Sequence, residues 1–252
     1  MDSARLTTIR RVRLPAPFEP VGDHIGIALP GGRALFTTRR GGVSGGPYTS
    51  LNLGRWTEDD ADAVDRNRQI VADTIGFPLD AVVQGRQVHE AHVERRATPD
   101  GALTEADGQA TNAEGLAALV LTADCLPVAL IGGRAAAMLH AGWRGLAGGV
   151  LENGVEALRA LGDDGPLQAA IGPGAGACCY EVGAEVHTAF GHDAQRGTID
   201  LKAIARERLE AAGVEATHDV GLCTMCSDPQ LFFSHRRDGG ITGRQAGITW
   251  RS

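Results

Sequence analysis

The chain has 252 residues, 43% hydrophobic and 22% charged, with a formal net charge of −7. This is an ordinary globular composition, long enough for one large domain, and it excludes a largely disordered chain. The acidic balance and the lack of any apolar run of about 18 residues argue against a nucleic-acid binder, a binder of anionic membranes and a membrane-spanning protein.

Residues 1–20 read as an irregular arm, because Pro15, Pro17 and Pro20 prevent a helix. The arm is basic but has no apolar core, so no signal peptide is expected. Residues 21–252 read as a single domain. Arg33–Thr38 reads as a strand leading into the glycine-rich segment Arg39–Pro47. Asp59–Ile75 reads as a helix, with acids in its first turn and Gly76 and Pro78 beyond its end. Ala81–Gln84 is a short strand. Leu116–Leu121 and Val128–Ile131 are continuous apolar runs, the pattern of strands buried on both faces. Pro127 is expected to break the chain between them. Gly132-Gly133 turns into a further strand, Ala135–Leu139. A helix Leu146–Leu161, a strand Leu167–Ile171, helices Val182–Phe190 and Ile199–Ala212, and a strand Gly243–Trp250 complete the reading. Several strands follow one another through short turns, which favours mixed sheets in an α/β (α+β) layered sandwich.

Lys202 is the one lysine, so Schiff-base chemistry elsewhere is excluded. The five cysteines, an odd count without a signal peptide, point to reduced thiols and a cytoplasmic setting. His89, Cys125 and His140 each stand at the edge of an apolar strand beside small or turn-forming residues. Two imidazoles and a thiolate suit Zn²⁺, with a fourth position left for water or substrate. Spacing alone leaves open a buried cysteine and two ordinary histidines. The pair Cys223-Thr224-Met225-Cys226 has half of a zinc-knuckle pattern but no second Cys-x-x-Cys. Cys178 and Cys179 are adjacent, which reads as poor chelation, so all four are expected to be core or loop cysteines. Arg39 and Arg144, each beside glycine turns, suit a phosphate or carboxylate, and surface ion pairs equally.

Several long motifs then fall in order: Phe36-Thr37-Thr38-Arg39, Ser50-Leu51-Asn52-Leu53-Gly54, Gln87-Val88-His89, Thr122-Ala123-Asp124-Cys125-Leu126-Pro127 and His140-Ala141-Gly142-Trp143-Arg144-Gly145. They continue with Cys178-Cys179-Tyr180-Glu181-Val182-Gly183, Phe232-Phe233-Ser234-His235-Arg236-Arg237-Asp238 and Thr242-Gly243-Arg244. From about residue 33 onward the chain resembles the YfiH, or laccase-domain, family, also called peptidoglycan editing factor and polyphenol oxidase. The resemblance implies a layered α/β/β/α sandwich like the catalytic domain of cytotoxic necrotizing factor. It implies a catalytic metal triad at His89, Cys125 and His140. It also implies phosphorolysis of purine nucleosides (adenosine, inosine, guanosine, methylthioadenosine) with adenosine deamination beside it. Arg39 and Arg144 are then candidates for holding phosphate, and Asn52 and Gln87 for hydrogen-bonding ribose or base. Asp124 has an orienting role at most. His235 stands where the family usually has Tyr, and the arm matches nothing.

Three rivals remain. The same His₂Cys set suits copper and a polyphenol oxidase, but the chain has no His-x-His pair from which to build a multicopper cluster. Cys125 and His140 alone would make a metal-free amide hydrolase in peptidoglycan precursor editing. The same pocket could serve a binding protein without catalysis. The expected partners are a purine nucleoside and phosphate, with the chain a monomer or weak homo-oligomer.

Overall fold

The structure, a computed structural model, describes residues 9–99, 103–193 and 195–252. Residues 1–8 of the expected arm lie outside the described residues. From Ile9 on, that segment contributes to the core: Ile9 and Phe18 are buried among Ile25, Phe36 and Met138.

The chain runs through β1 (Glu19–Val21), β2 (His24–Leu29), β3 (Gly32–Phe36), α1 (Ala61–Ile75), β4 (Val82–Gln84), β5 (Val93–Arg95) and β6 (Gly108–Thr111). It continues through β7 (Ala117–Thr122), β8 (Leu126–Ile131), β9 (Ala136–Ala141), α2 (Trp143–Ala147), α3 (Val150–Ala160) and β10 (Gln168–Ile171). The last elements are β11 (Glu181–Gly183), α4 (Ala184–Ala189), β12 (Arg196–Thr198), α5 (Leu201–Ala211), β13 (Ala216–Asp219) and β14 (Gln245–Arg251).

Two six-stranded mixed sheets result, ordered β1-β2-β3-β14-β7-β4 and β13-β10-β8-β9-β6-β5, with a separate β11-β12 ribbon. Side-chain alternation explains how they stack. On β7, Ala118 and Val120 face the second sheet and share a core with Ile27, Ala129, Ile131 and Met138. Their neighbours Leu119 and Leu121 face the other way, onto Val71 of α1 and Ile248. On β9, Ala137 and Leu139 pack outward with Val155 and Leu158 of α3 and Leu209 of α5. The order is therefore helix, sheet, sheet, helix, and the central strands are apolar on both faces because both are covered. The sheets approach closely at Gly247, where a Cβ would lie 2.6 Å from the Pro127 Cβ. Among the described residues no helix is long and apolar enough to cross a membrane.

Local chemistry sets the element ends. Asp60 caps α1 by accepting the Ala63 N–H, and Gly76 closes it with φ +76°. Three expectations are corrected. Pro127 does not end a strand; it is the second residue of β8, and the chain breaks earlier, at Asp124, where φ is +91°. The single helix Leu146–Leu161 is two, because Gly149 takes φ +94° between α2 and α3. Val182–Phe190 is helical only over α4; Glu181–Gly183 pairs with Arg196–Thr198.

Candidate metal centre

His89 lies in the loop between β4 and β5. Cys125 lies in the short turn from β7 to β8, where the chain crosses from one sheet to the other. His140 is the penultimate residue of β9. One donor atom from each lies within 4.8 Å of the others, and the two imidazole centroids are 4.9 Å apart. His89 (φ +62°) and Asp124 (φ +91°) are the two non-glycine residues with positive φ among those described, and both stand at this site. Backbone held in that region marks a constrained functional centre.

The constraint is supplied by Asp107, immediately before β6 and fully buried. Its Oδ2 accepts the backbone N–H groups of Val88 and Glu90 at 3.0 and 2.9 Å, and its Oδ1 accepts that of His89 at 3.0 Å. The same Oδ1 accepts the His140 Nδ1–H at 2.7 Å. One carboxylate thus holds the loop carrying the first histidine and the ring of the second. With Nδ1 committed to Asp107, the lone pair of His140 Nε2 is left for a metal.

The donor set fits Zn²⁺: His₂Cys, with one coordination position remaining. Gly142 keeps the space open, since a Cβ there would lie 3.0 Å from Cys125 Sγ and 3.3 Å from His89 Cδ2. Burial alone would raise the Cys125 thiol, but attraction to His140 and hydrogen bonds from both rings pull it down to about 6. Burial alone would lower His140, but the Cys125 charge and Asp107 push it up to about 9. Chelated protein should therefore hold a thiolate–imidazolium pair between about pH 6 and about pH 9. Its ultraviolet thiolate absorbance should rise through about pH 6, well below the ~8.5 of an ordinary cysteine. Cys125→Ala supplies the blank.

The triad opens on a cavity of about 410 Å³. Of the four residues expected to bind substrate, Gln87 and Arg144 line it and Arg39 and Asn52 do not. Arg39 donates to the carbonyls of Thr49, Pro229 and Pro47 and stacks on Phe233 at 4.3 Å. Fully buried Asn52 receives Gly54 N–H and Arg244 N–H on its Oδ1, positioning two wall residues from behind. Gln87 exchanges two 2.7 Å hydrogen bonds with the Leu121 backbone, so its amide extends β7 as a further strand residue would. Arg144 is exposed and stacks on Trp143 at 4.3 Å.

The wall also contains Tyr180, His235, Arg236 and Arg244. Arg236 lies over the Tyr180 ring and donates to the Glu181 carbonyl at 2.8 Å. Asp124 accepts the Thr224 hydroxyl at 2.7 Å and the Arg236 N–H at 2.8 Å, while its carbonyl accepts the Ala175 N–H. It ties three loops to the turn bearing Cys125. In the sequence, Arg236 and Arg244 flank the turn Asp238-Gly239-Gly240, whereas nothing comparable marks Asp107.

The four cysteines expected to be core or loop residues do stand in loops, but the loops bring them together. Sγ atoms of Cys178, Cys179, Cys223 and Cys226 all lie within 4.8 Å of one another. A parallel bridge between Gly174 and Cys223 lays their two loops side by side, which sequence spacing cannot show.

With this geometry in place, comparison with known proteins is decisive. The family model described as multi-copper polyphenol oxidoreductase laccase matches residues 33–252. The chain belongs to this family. It is 41% identical over 251 residues to a purine nucleoside phosphorylase of Xylella fastidiosa, covering 88% of this chain and 93% of the relative. It is 38% identical over 232 residues to purine nucleoside phosphorylase YfiH of Escherichia coli, covering 86% and 93%. Among solved structures it resembles YlmD from Geobacillus stearothermophilus, with a TM-score of 0.85, 32% identity, and coverage of 94% and 99%. Neisseria meningitidis protein NMB0706 gives a TM-score of 0.81 at 39% identity, with coverage of 89% and 96%. The expected α/β architecture with mixed sheets is that of these laccase-domain relatives.

Proposed function

We propose that this laccase-domain protein is a zinc-dependent purine nucleoside phosphorylase acting on adenosine, inosine, guanosine and methylthioadenosine, with adenosine deamination as a side activity. The carrying observation is that His89, Cys125 and His140 open on a cavity whose walls bring together Arg144, Arg236, Arg244 and the rings of Trp143 and Tyr180. The names of the relatives support the substrate class.

When bound, the ion supplies Lewis acidity at neutral pH. The chain's own residues do the rest. Flat rings in the wall offer the purine an apolar face. The arginines offer charge-assisted hydrogen bonds to phosphate and hold it against the ribose C1′, where negative charge shifts from phosphate towards the departing base. Asn52 and Asp124 fix the loops from which Arg244 and Arg236 project.

Metal-defined protein incubated with adenosine and phosphate should yield adenine and ribose 1-phosphate, with inosine as the minor product. Arg144→Ala should lower phosphorolysis by about 10- to 150-fold in kcat/KM, the value of a hydrogen bond to a charged group, because only phosphorolysis binds phosphate. Deamination should fall much less. Both products are read from one chromatogram, and equal losses would remove Arg144 from the phosphate role.

A second reading has its own observation. Cys125, His140 and Asp107 form a thiol–imidazole–carboxylate chain of the kind used by cysteine hydrolases. Such an enzyme has no need of His89, whose constrained backbone is secured by the same Asp107. That favours the metal. Activity that survives chelation and is lost on alkylation of Cys125 would reverse the preference.

The copper-oxidase reading requires more histidine ligands. Among the described residues outside the triad, His24 accepts from Thr38 N–H, His92 pairs with Glu94, and His187 faces His192 at 6.1 Å. Of the histidines outside the triad, only His235 lines the cavity. This pattern supports a single ion at the cavity.

A further inference from the structure

We propose that Cys178, Cys179, Cys223 and Cys226 form a second metal site, a closed tetrathiolate centre holding one structural Zn²⁺. Four thiolates around one zinc at about 2.3 Å stand roughly 3.8 Å apart. Here Cys178 and Cys226 approach to 3.2 Å, Cys179 and Cys223 to 3.4 Å, and Cys178 and Cys179 to 3.5 Å. Adjacent cysteines chelate together because they lie in a turn closed by Cys179 N–H and Tyr180 N–H on the Gly176 carbonyl.

An independent feature is the hydrogen bonding to Cys223. The backbone N–H groups of Met225 and Cys226 point back at its sulfur, and Gly176 N–H donates to it from the other loop at 3.2 Å. Several N–H donors converging on one buried sulfur stabilise a thiolate and, in a Cys-x-x-Cys turn, form a knuckle around a metal. Gly176 leaves little room for a side chain: a Cβ would lie 3.3 Å from Cys178 Sγ and from Cys223 Cβ.

The position gives the site a purpose. Its ligands come from two irregular loops, one ending in Tyr180 and the other carrying Thr224, which supports Asp124 behind Cys125. An ion there clasps both loops and fixes one wall of the cavity. All four candidate ligands are cysteines, and none is shared with the triad. Loading it displaces the thiol protons to solvent.

The test uses the full chain, purified under reductant without chelator, in the Cys125→Ala background so that the triad does not contribute. The expected content is about one zinc per chain. The four remaining thiols should react with a chromogenic thiol reagent only after denaturation with a chelator. Cobalt substitution should give the intense absorption of a tetrahedral thiolate site. Adding Cys223→Ser with Cys226→Ser should abolish the zinc, whereas Cys226→His, which preserves a ligand, should retain it. Three results would overturn the assignment: iron in place of zinc, thiols that react freely in the folded protein as purified without chelator, or thiols that stay unreactive on denaturation with chelator but without reductant, which would mean two disulfides.

Discussion

Cys125→Ala should lose the triad metal and, with it, both phosphorolysis and deamination. The thiolate is the one anionic ligand of the set, and the two imidazoles left behind are neutral. The substitution is small and at the cavity wall, so the sandwich should survive. A Lewis acid at the reacting centre is worth several kcal/mol. A loss of about 4 kcal/mol corresponds to about a 1,000-fold fall in rate. Metal content, circular dichroism and product chromatography on one preparation separate loss of the ion from loss of the fold. Undiminished turnover would overturn the metal mechanism, and parallel loss of both activities would place them on one centre.

Asp107→Asn should weaken metal binding by about 10- to 100-fold and lower stability by about 2 kcal/mol, or roughly 4–8 °C in Tm. The amide is nearly isosteric, yet neither orientation can satisfy the site. With its oxygen towards His140 and His89, its NH₂ confronts the Val88 and Glu90 N–H donors. Flipped, it confronts His89 N–H and the His140 Nδ1–H and favours the wrong imidazole tautomer. The pH dependence has a definite sign. Burial alone would raise the Asp107 carboxyl, but the His140 hydrogen bond and the backbone donors hold it below its ordinary value. Its stabilisation is complete above about pH 4 and is lost as pH falls through the depressed native value. The stability gap between wild type and Asp107→Asn, followed by denaturant titration, should therefore narrow in acid. A gap unchanged down to the lowest pH at which both fold would remove the ionised carboxylate from this role.

The grouping of the triad was legible chiefly because the surrounding motifs resemble a family; Cys125 and His140 also stand at the ends of apolar strands, whereas His89 lies in the loop between β4 and β5. The doubly covered strands were legible from their unbroken apolar runs. Asp107 was not: among 31 acidic residues it sits in an unremarkable Ala-Asp-Gly, and its importance comes from four donors that the fold delivers. Arg39 and Asn52 stand away from the cavity wall for the complementary reason. Polar side chains in glycine loops serve backbone carbonyls and N–H groups as readily as ligands, and both are spent that way. The break at Asp124 was missed because proline is the stronger sequence signal, whereas a positive φ at aspartate leaves none. The four-cysteine cluster depends on Cys179 and Cys223, 44 positions apart in sequence, being folded back to one bridge, which local spacing cannot report.

The place of β14 has a consequence for how the protein is made. This strand comes after every other strand in sequence but lies in the interior of the first sheet, between β3 and β7. During synthesis, β3 and β7 emerge long before their shared neighbour, each presenting an unpaired apolar edge that invites wrong pairing. Thr122, three residues before Cys125, is paired in register with Gln245, so the strand leading into the turn that carries the thiolate gains this pairing only when residues 245–251 arrive. A chain made only as far as β13 therefore lacks the strand that pairs beside the Cys125 turn. A stop codon before β14 should give not a weakened enzyme but a chain retained by chaperones and cleared by proteases.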